Sequence, residues 1–147
     1  MWILCYVGNG LGIGLICALF VFSGALHQEL SSYLFAMIEA KFNFDLVQLF
    51  IKGILCNFIV CLGSYIGIKI ENVTTKFILM MIMVMAFVLP GFEHCIANMG
   101  TFVLGVCLFQ TQISWSLLPL HMLISTLGNI VGESILFALP IYLTFKK

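Results

Sequence analysis

The sequence predicts an all-α integral membrane protein with four spans. Its 147 residues are 63% hydrophobic and only 8% charged, far too little charge to cover a soluble surface. Mean hydropathy is +1.20. Apolar runs recur along the chain at the length of about 20 residues that a spanning helix needs. Acidic and basic residues number 6 each and cancel, so the lipid bilayer is the partner the composition implies, and nothing points to nucleic acid.

Met1–Leu26 carries no charge and lacks a basic start, so it reads as a spanning helix rather than a cleaved leader. Residues 27–45 mix charge with short apolar pieces and read as an interfacial connection, with Tyr33 as an interface anchor. Leu46–Ile68 is the second span, interrupted by Lys52 near its start, and residues 69–76 (KIENVTTK) form a polar turn. Phe77–Leu108 covers 32 residues, too long for one simple span, and is interrupted by Pro90 and Gly91. Residues 109–119, with Gln110, Gln112, Ser114 and Ser116, read as an uncharged loop. Leu120–Phe145 is the last span, and Lys146 and Lys147 close the chain. Trp115 and Tyr142 read as further interface anchors, and His27 and His121 as interfacial. The six cysteines lie in apolar runs without a C-x-x-C pair and read as small hydrophobes.

Four passes put both termini on one side. Lys69, Lys76, Lys146 and Lys147 share that side, against Lys41 and Lys52 on the other. The excess of basic residues places the termini in the cytoplasm of a cell-membrane protein.

The interrupted third span carries the chemistry. Pro90 has no amide hydrogen and its ring opposes the preceding turn, while Gly91 admits backbone angles other residues resist. Backbone freed at membrane depth must be satisfied by protein or a water-lined cavity. A helix restarting near Phe92 would aim its positive dipole end into the break, with Glu93 and His94 in its first turn. An ionisable group inside a span costs about 3 kcal/mol or more, so two together need a reason. His94 lining a pore and handling a proton supplies one; a structural Glu93–His94 hydrogen bond locking the break supplies another, and the two are compatible. Zinc hydrolysis is discouraged because residues 97 and 98, Ala and Asn, supply no second ligand one turn on. No serine sits in a nucleophile elbow. No enzyme activity, metal or cofactor is expected.

One echo spans the chain. Gly8-Asn9-x-x-Gly12 in the first span matches Gly128-Asn129-x-x-Gly132 in the last. Such a match is left by an inverted-topology repeat, and small residues at this spacing also pack helices closely.

GFEHCIANM (91–99) and KGILCNFIVCL (52–62) resemble two signatures of the formate/nitrite transporter family. EAK followed by GILCN (39–41, 53–57), the ending TLGNIVG (126–132) and W-x-x-x-Y-x-G-N-x-x-G from Trp2 to Gly12 are similar to that family as well. The resemblance runs from end to end of the chain. It implies an aquaporin-like helical bundle of two inverted halves, assembled as a homo-pentamer with one pore per subunit. It implies transport of small monovalent anions such as formate, nitrite or hydrosulfide, with a proton exchanged at a central histidine. On this chain that histidine is His94, with Glu93 its partner, Asn57 a pore polar group, Lys41 the vestibule lysine, and Phe87 and Asn98 further along the pathway.

Two departures stand out. Family members have six spans, and this chain resembles helices three to six, with the fifth broken at Pro90-Gly91. It is therefore expected to be a single transmembrane domain, residues 1–147, incomplete at its N-terminus relative to the family. That raises a second reading, a non-transporting membrane fragment or an assembly partner of a full-length transporter. Glu133 is the other departure, a carboxylate where the family usually has a small residue.

Overall fold

The computed structural model describes residues 1–113 and 115–146, with Trp2 described by its backbone alone. The Trp2 side chain, Ser114 and Lys147, which entered a motif, a loop and a charge count above, lie outside the described residues. Every regular element is helical: α1 Trp2–Phe22, α2 Gln28–Ala40, α3 Leu46–Lys69, α4 Val73–Val88, α5 Cys95–Phe109, a 3-10 turn Trp115–Leu117, α6 Leu118–Val131, a π-helical segment Gly132–Ala138, and α7 Leu139–Phe145. Among the described residues, three helical stretches are long and apolar enough to cross a membrane: Ile3–Phe22, Leu46–Lys69 and Trp115–Phe145. α4 and α5 are shorter apolar helices of 16 and 15 residues.

The chain divides into two compact units, Met1–Asp45 with Cys95–Met122, and Leu46–His94 with Leu123–Lys147. In the first, α1 lies along α5. A Cβ added at Gly100 would sit 3.4 Å from Ile13, an ordinary packing distance, and the Cys17 thiol reaches the Gly100 carbonyl at 3.7 Å. The outer faces of α1 leave Leu4, Leu11, Leu15 and Leu19 exposed, as suits a helix covered by lipid or protein.

The expected connection over 27–45 contains α2. Leu34 and Ile38, one turn apart, bury against Phe109, and Glu29 in its first turn complements the helix dipole. Trp115, expected at the membrane interface, stacks edge-on to Phe42 at 5.5 Å and donates its indole N–H to the Gln110 carbonyl at 3.1 Å. A Cβ on Gly105 would fall 2.6 Å from the Trp115 ring, which is why that position takes glycine.

In the second unit α3 packs against α4 and against the last helical stretch. α4 starts at Val73, earlier than the polar turn suggested, because the Asn72 carboxamide accepts from the Thr75 N–H at 2.9 Å and caps the helix. α3 approaches α6 backbone to backbone: a Cβ on Gly128 would lie 2.5 Å from the Phe50 carbonyl oxygen, and one on Gly132 would strike the Ile54 carbonyl. Gly8 and Gly12, their sequence counterparts on α1, meet nothing within 4 Å. The echo in sequence is thus not an echo in contacts, because α1 presents this face outward.

The last helix widens into its π segment just before Pro140 at the start of α7. A proline there withholds an amide and crowds the carbonyl one turn back, so the hydrogen-bond ladder slips by one residue.

Candidate functional site

The interruption after α4 is built by local chemistry. α4 ends at Val88, and the Leu89 N–H still bonds Met85 O. Pro90 brings no donor. Gly91 takes φ +68°, a left-handed conformation that strains residues with a Cβ. The turn is closed by Gly91 N–H to Val88 O and Phe92 N–H to Phe87 O, both at 3.0 Å. α5 begins at Cys95 rather than near Phe92. Glu93 and His94 therefore precede the helix instead of forming its first turn.

Glu93 is buried. Its main-chain carbonyl accepts from the Asn129 side-chain amide at 2.7 Å, and the same amide nitrogen donates to the Gly53 carbonyl at 3.0 Å. Asn129, expected from sequence to serve helix packing, thus ties α3 and α6 to the stretch before His94. His94 itself is half-buried, with its ring 6.1 Å from that of Phe87 at an interplanar angle of 32°. With Phe87, Val60, Ser64, Met83 and neighbours it lines a cavity of about 220 Å³. Its walls are apolar apart from the imidazole and the Ser64 hydroxyl.

Asn57 lies on α3 one turn before Val60 of the cavity wall. Its amide donates to the Asn129 carbonyl at 2.9 Å and to Glu133 Oε2 at 3.3 Å. Glu133 is exposed and sits at the start of the π segment.

The remaining expected pathway residues belong to the first unit. Lys41, just after α2, donates from Nζ to Asn98 Oδ1 at 3.0 Å. Asn98 is 2% exposed, and among the described residues its own amide nitrogen has no hydrogen-bond acceptor. Asn9, like its neighbours Gly8 and Gly12, faces outward.

His121 differs from expectation: it is fully buried, clasped edge-on between Phe44 and Phe102 with ring centroids 5.1 Å away on either side. The expectation of an interfacial position did not include this aromatic enclosure. The only signal for a core role was a lone histidine following Pro119 in an uncharged stretch. Among the described residues, no three His, Cys, Asp or Glu side chains come together as metal ligands would.

Comparison with known proteins gives a consistent result. The family profile described as formate/nitrite transporter matches residues 1–143. The formate channel FocA of Haemophilus influenzae is 32% identical over 155 aligned residues, which cover 91% of this chain and 55% of that protein. Among solved structures, an FNT family ion channel matches with a TM-score of 0.85 at 27% identity, over 95% of this chain and 56% of the other. A pentameric formate channel with formate bound matches with a TM-score of 0.82 at 25% identity, over 99% of this chain and 66% of the other. The chain spans 55%, 56% and 66% of the length of these three proteins.

Proposed function

Since this chain belongs to the formate/nitrite transporter family, we propose that it builds part of a membrane pathway for small monovalent anions, with a proton exchanged at His94. Formate and nitrite lead the substrate class, because the relatives are described as channels and transporters for them; hydrosulfide is an anion of the same size and charge. A homo-pentamer in the cell membrane, with cytoplasmic termini, is the assembly that accords with the pentameric relative and with the lysine bias. α4 and α5 are each shorter than the roughly 20 residues of a full crossing, and this reading takes them as the halves of one interrupted span. The chain then crosses four times.

The observation that carries the reading is His94 on the wall of an apolar cavity, next to Phe87. A bare anion loses its hydration in such a place at a large free-energy cost, whereas its conjugate acid loses little. An imidazole changes charge near neutral pH, so it is suited to hand a proton to the arriving anion and recover it afterwards. Lys41, held by Asn98, supplies the positive charge that concentrates anions and eases their protonation. Asn129 fixes the backbone before His94, which keeps the imidazole in register with the cavity.

The test is internal pH in proteoliposomes holding this chain while a formate gradient is imposed. Formic acid entry should acidify the lumen, and His94→Ala should flatten the dependence of that flux on external pH. An unchanged profile in the variant would sink the role of His94. Absence of flux from well-inserted chain would favour the second reading, an assembly partner of longer subunits, for which the large exposed apolar face of α1 provides a docking surface.

A further inference from the structure

The last crossing carries a carboxylate that the reading above leaves unused. Glu133 stands 13 residues before Lys146, about 20 Å along the helix, and so lies deep in the apolar stretch. An ionised side chain facing lipid at that depth is strongly disfavoured, so an exposed carboxylate there needs water, protein or a proton. Its place is also structurally marked: it is the second residue of the π segment Gly132–Ala138, and such widenings of a helix recur where a side chain must be redirected for function.

Its surroundings connect it to the His94 cavity. Asn57 Nδ2 donates to Glu133 Oε2 at 3.3 Å and to the Asn129 carbonyl at 2.9 Å. The Asn129 amide donates in turn to the Glu93 carbonyl at 2.7 Å. Two carboxamides therefore link the Glu133 carboxylate to the backbone next to His94. On α3, Asn57 is one turn from both Val60 and Cys61. Val60 belongs to the wall of the His94 cavity, so Asn57 lies one turn from that wall.

Among the described residues, no other titratable group of the packed elements pairs with Glu133. Lys69 of α3 lies over the Tyr65 ring at 5.6 Å, and Lys146 lies over the Tyr142 ring of α7 at 5.4 Å. Lys52 and Cys56 precede Asn57 on α3, and among the described residues the hydrogen bond that Glu133 accepts comes from Asn57.

We infer that Glu133 is a second proton-binding station of this chain, joined through Asn57 and Asn129 to the break that carries His94. Resting on the transport reading, its role is proton exchange with the carried weak acid. The Glu133 O–H bond breaks as the anion gains that proton, leaving a carboxylate and a neutral acid, and the carboxylate is reloaded from water. An ionised Glu133 repels anions, so passage at this point is restricted to the protonated station or the neutral acid. Flux should then fall more steeply with rising pH than a single histidine would dictate.

The first measurement is independent of transport. The full chain in lipid vesicles is treated with dicyclohexylcarbodiimide, which adds to protonated carboxyls in apolar surroundings, and the Glu133 peptide is read by mass spectrometry across a pH series. Modification should be present at low pH and fall several-fold as pH rises. No adduct at any pH, or an adduct indifferent to pH, overturns the inference. The second measurement is formate flux against pH for Glu133→Gln, which keeps an acceptor for the Asn57 amide, and for Glu133→Asp, which keeps the acid. The Gln variant should flatten the profile and the Asp variant restore its slope; a Gln profile matching the parent overturns the inference while leaving the transport reading intact. A titrating adduct without any formate flux upholds the proton site and fails the transport reading.

Discussion

Asn129 shows how much one side chain holds. Its carboxamide nitrogen serves two main-chain carbonyls, Gly53 and Glu93, in surroundings where it is 3% exposed. Removing one partner of a buried hydrogen bond costs about 1–3 kcal/mol for the group left behind. Asn129→Ala should therefore lower the thermal stability of the detergent-solubilised chain by about that amount. It should also blunt the His94-dependent part of the flux. Lys41→Met makes a parallel case in the other unit. It strips Asn98 of its hydrogen bond and should destabilise by about 1–3 kcal/mol, read from the same melting curves; an unaltered melt would show that Asn98 finds another partner. Glu93 and His94 were legible as candidates because ionisable residues inside an apolar run demand an explanation. Asn129 read only as half of a small-residue motif, and His121 as interfacial, because what surrounds them comes from distant segments.

At the scale of elements, the two glycine motifs part company. Gly128 has its hydrogen facing the Phe50 carbonyl, so a methyl group there forces α3 and α6 apart, and overpacking of this kind costs about 1–3 kcal/mol. Gly128→Ala should destabilise accordingly, whereas Gly12→Ala, which adds its methyl to open space, should be neutral or stabilise by up to about 1 kcal/mol through helix propensity. Equal melting temperatures for the two variants would contradict the close seam between α3 and α6. The interruption at Pro90 and Gly91 was legible, since both residues act on their own backbone. The start of α5 was not, because the turn that closes from Phe92 N–H to the Phe87 carbonyl around the left-handed Gly91 carries the chain on to Cys95 before it turns helical. Asn72 advanced the start of α4 by a side-chain cap that a hydropathy reading passes over.

For the whole molecule, hydropathy placed the chain in the bilayer, and the three long apolar helices and the family match agree with a membrane protein. Its orientation is a prediction. An amine reagent that cannot cross the membrane should leave Lys69 and Lys76 unmodified in intact cells and modify them once the membrane is opened. Modification in intact cells would reverse the assignment. The sequence by itself determined the class and the family and marked Pro90-Gly91 as a place where a helix ends, because composition, motif spacing and the Pro-Gly pair act through the chain's own neighbours and its solvent. Only the tertiary structure decided that Asn129 ties down the Glu93 backbone, that Asn57 meets Glu133 across 76 residues of chain, and that His121 is sheathed by Phe44 and Phe102. Those contacts depend on which helix faces pack together, and near-uniform apolar helices leave no periodic stripe from which that choice can be read.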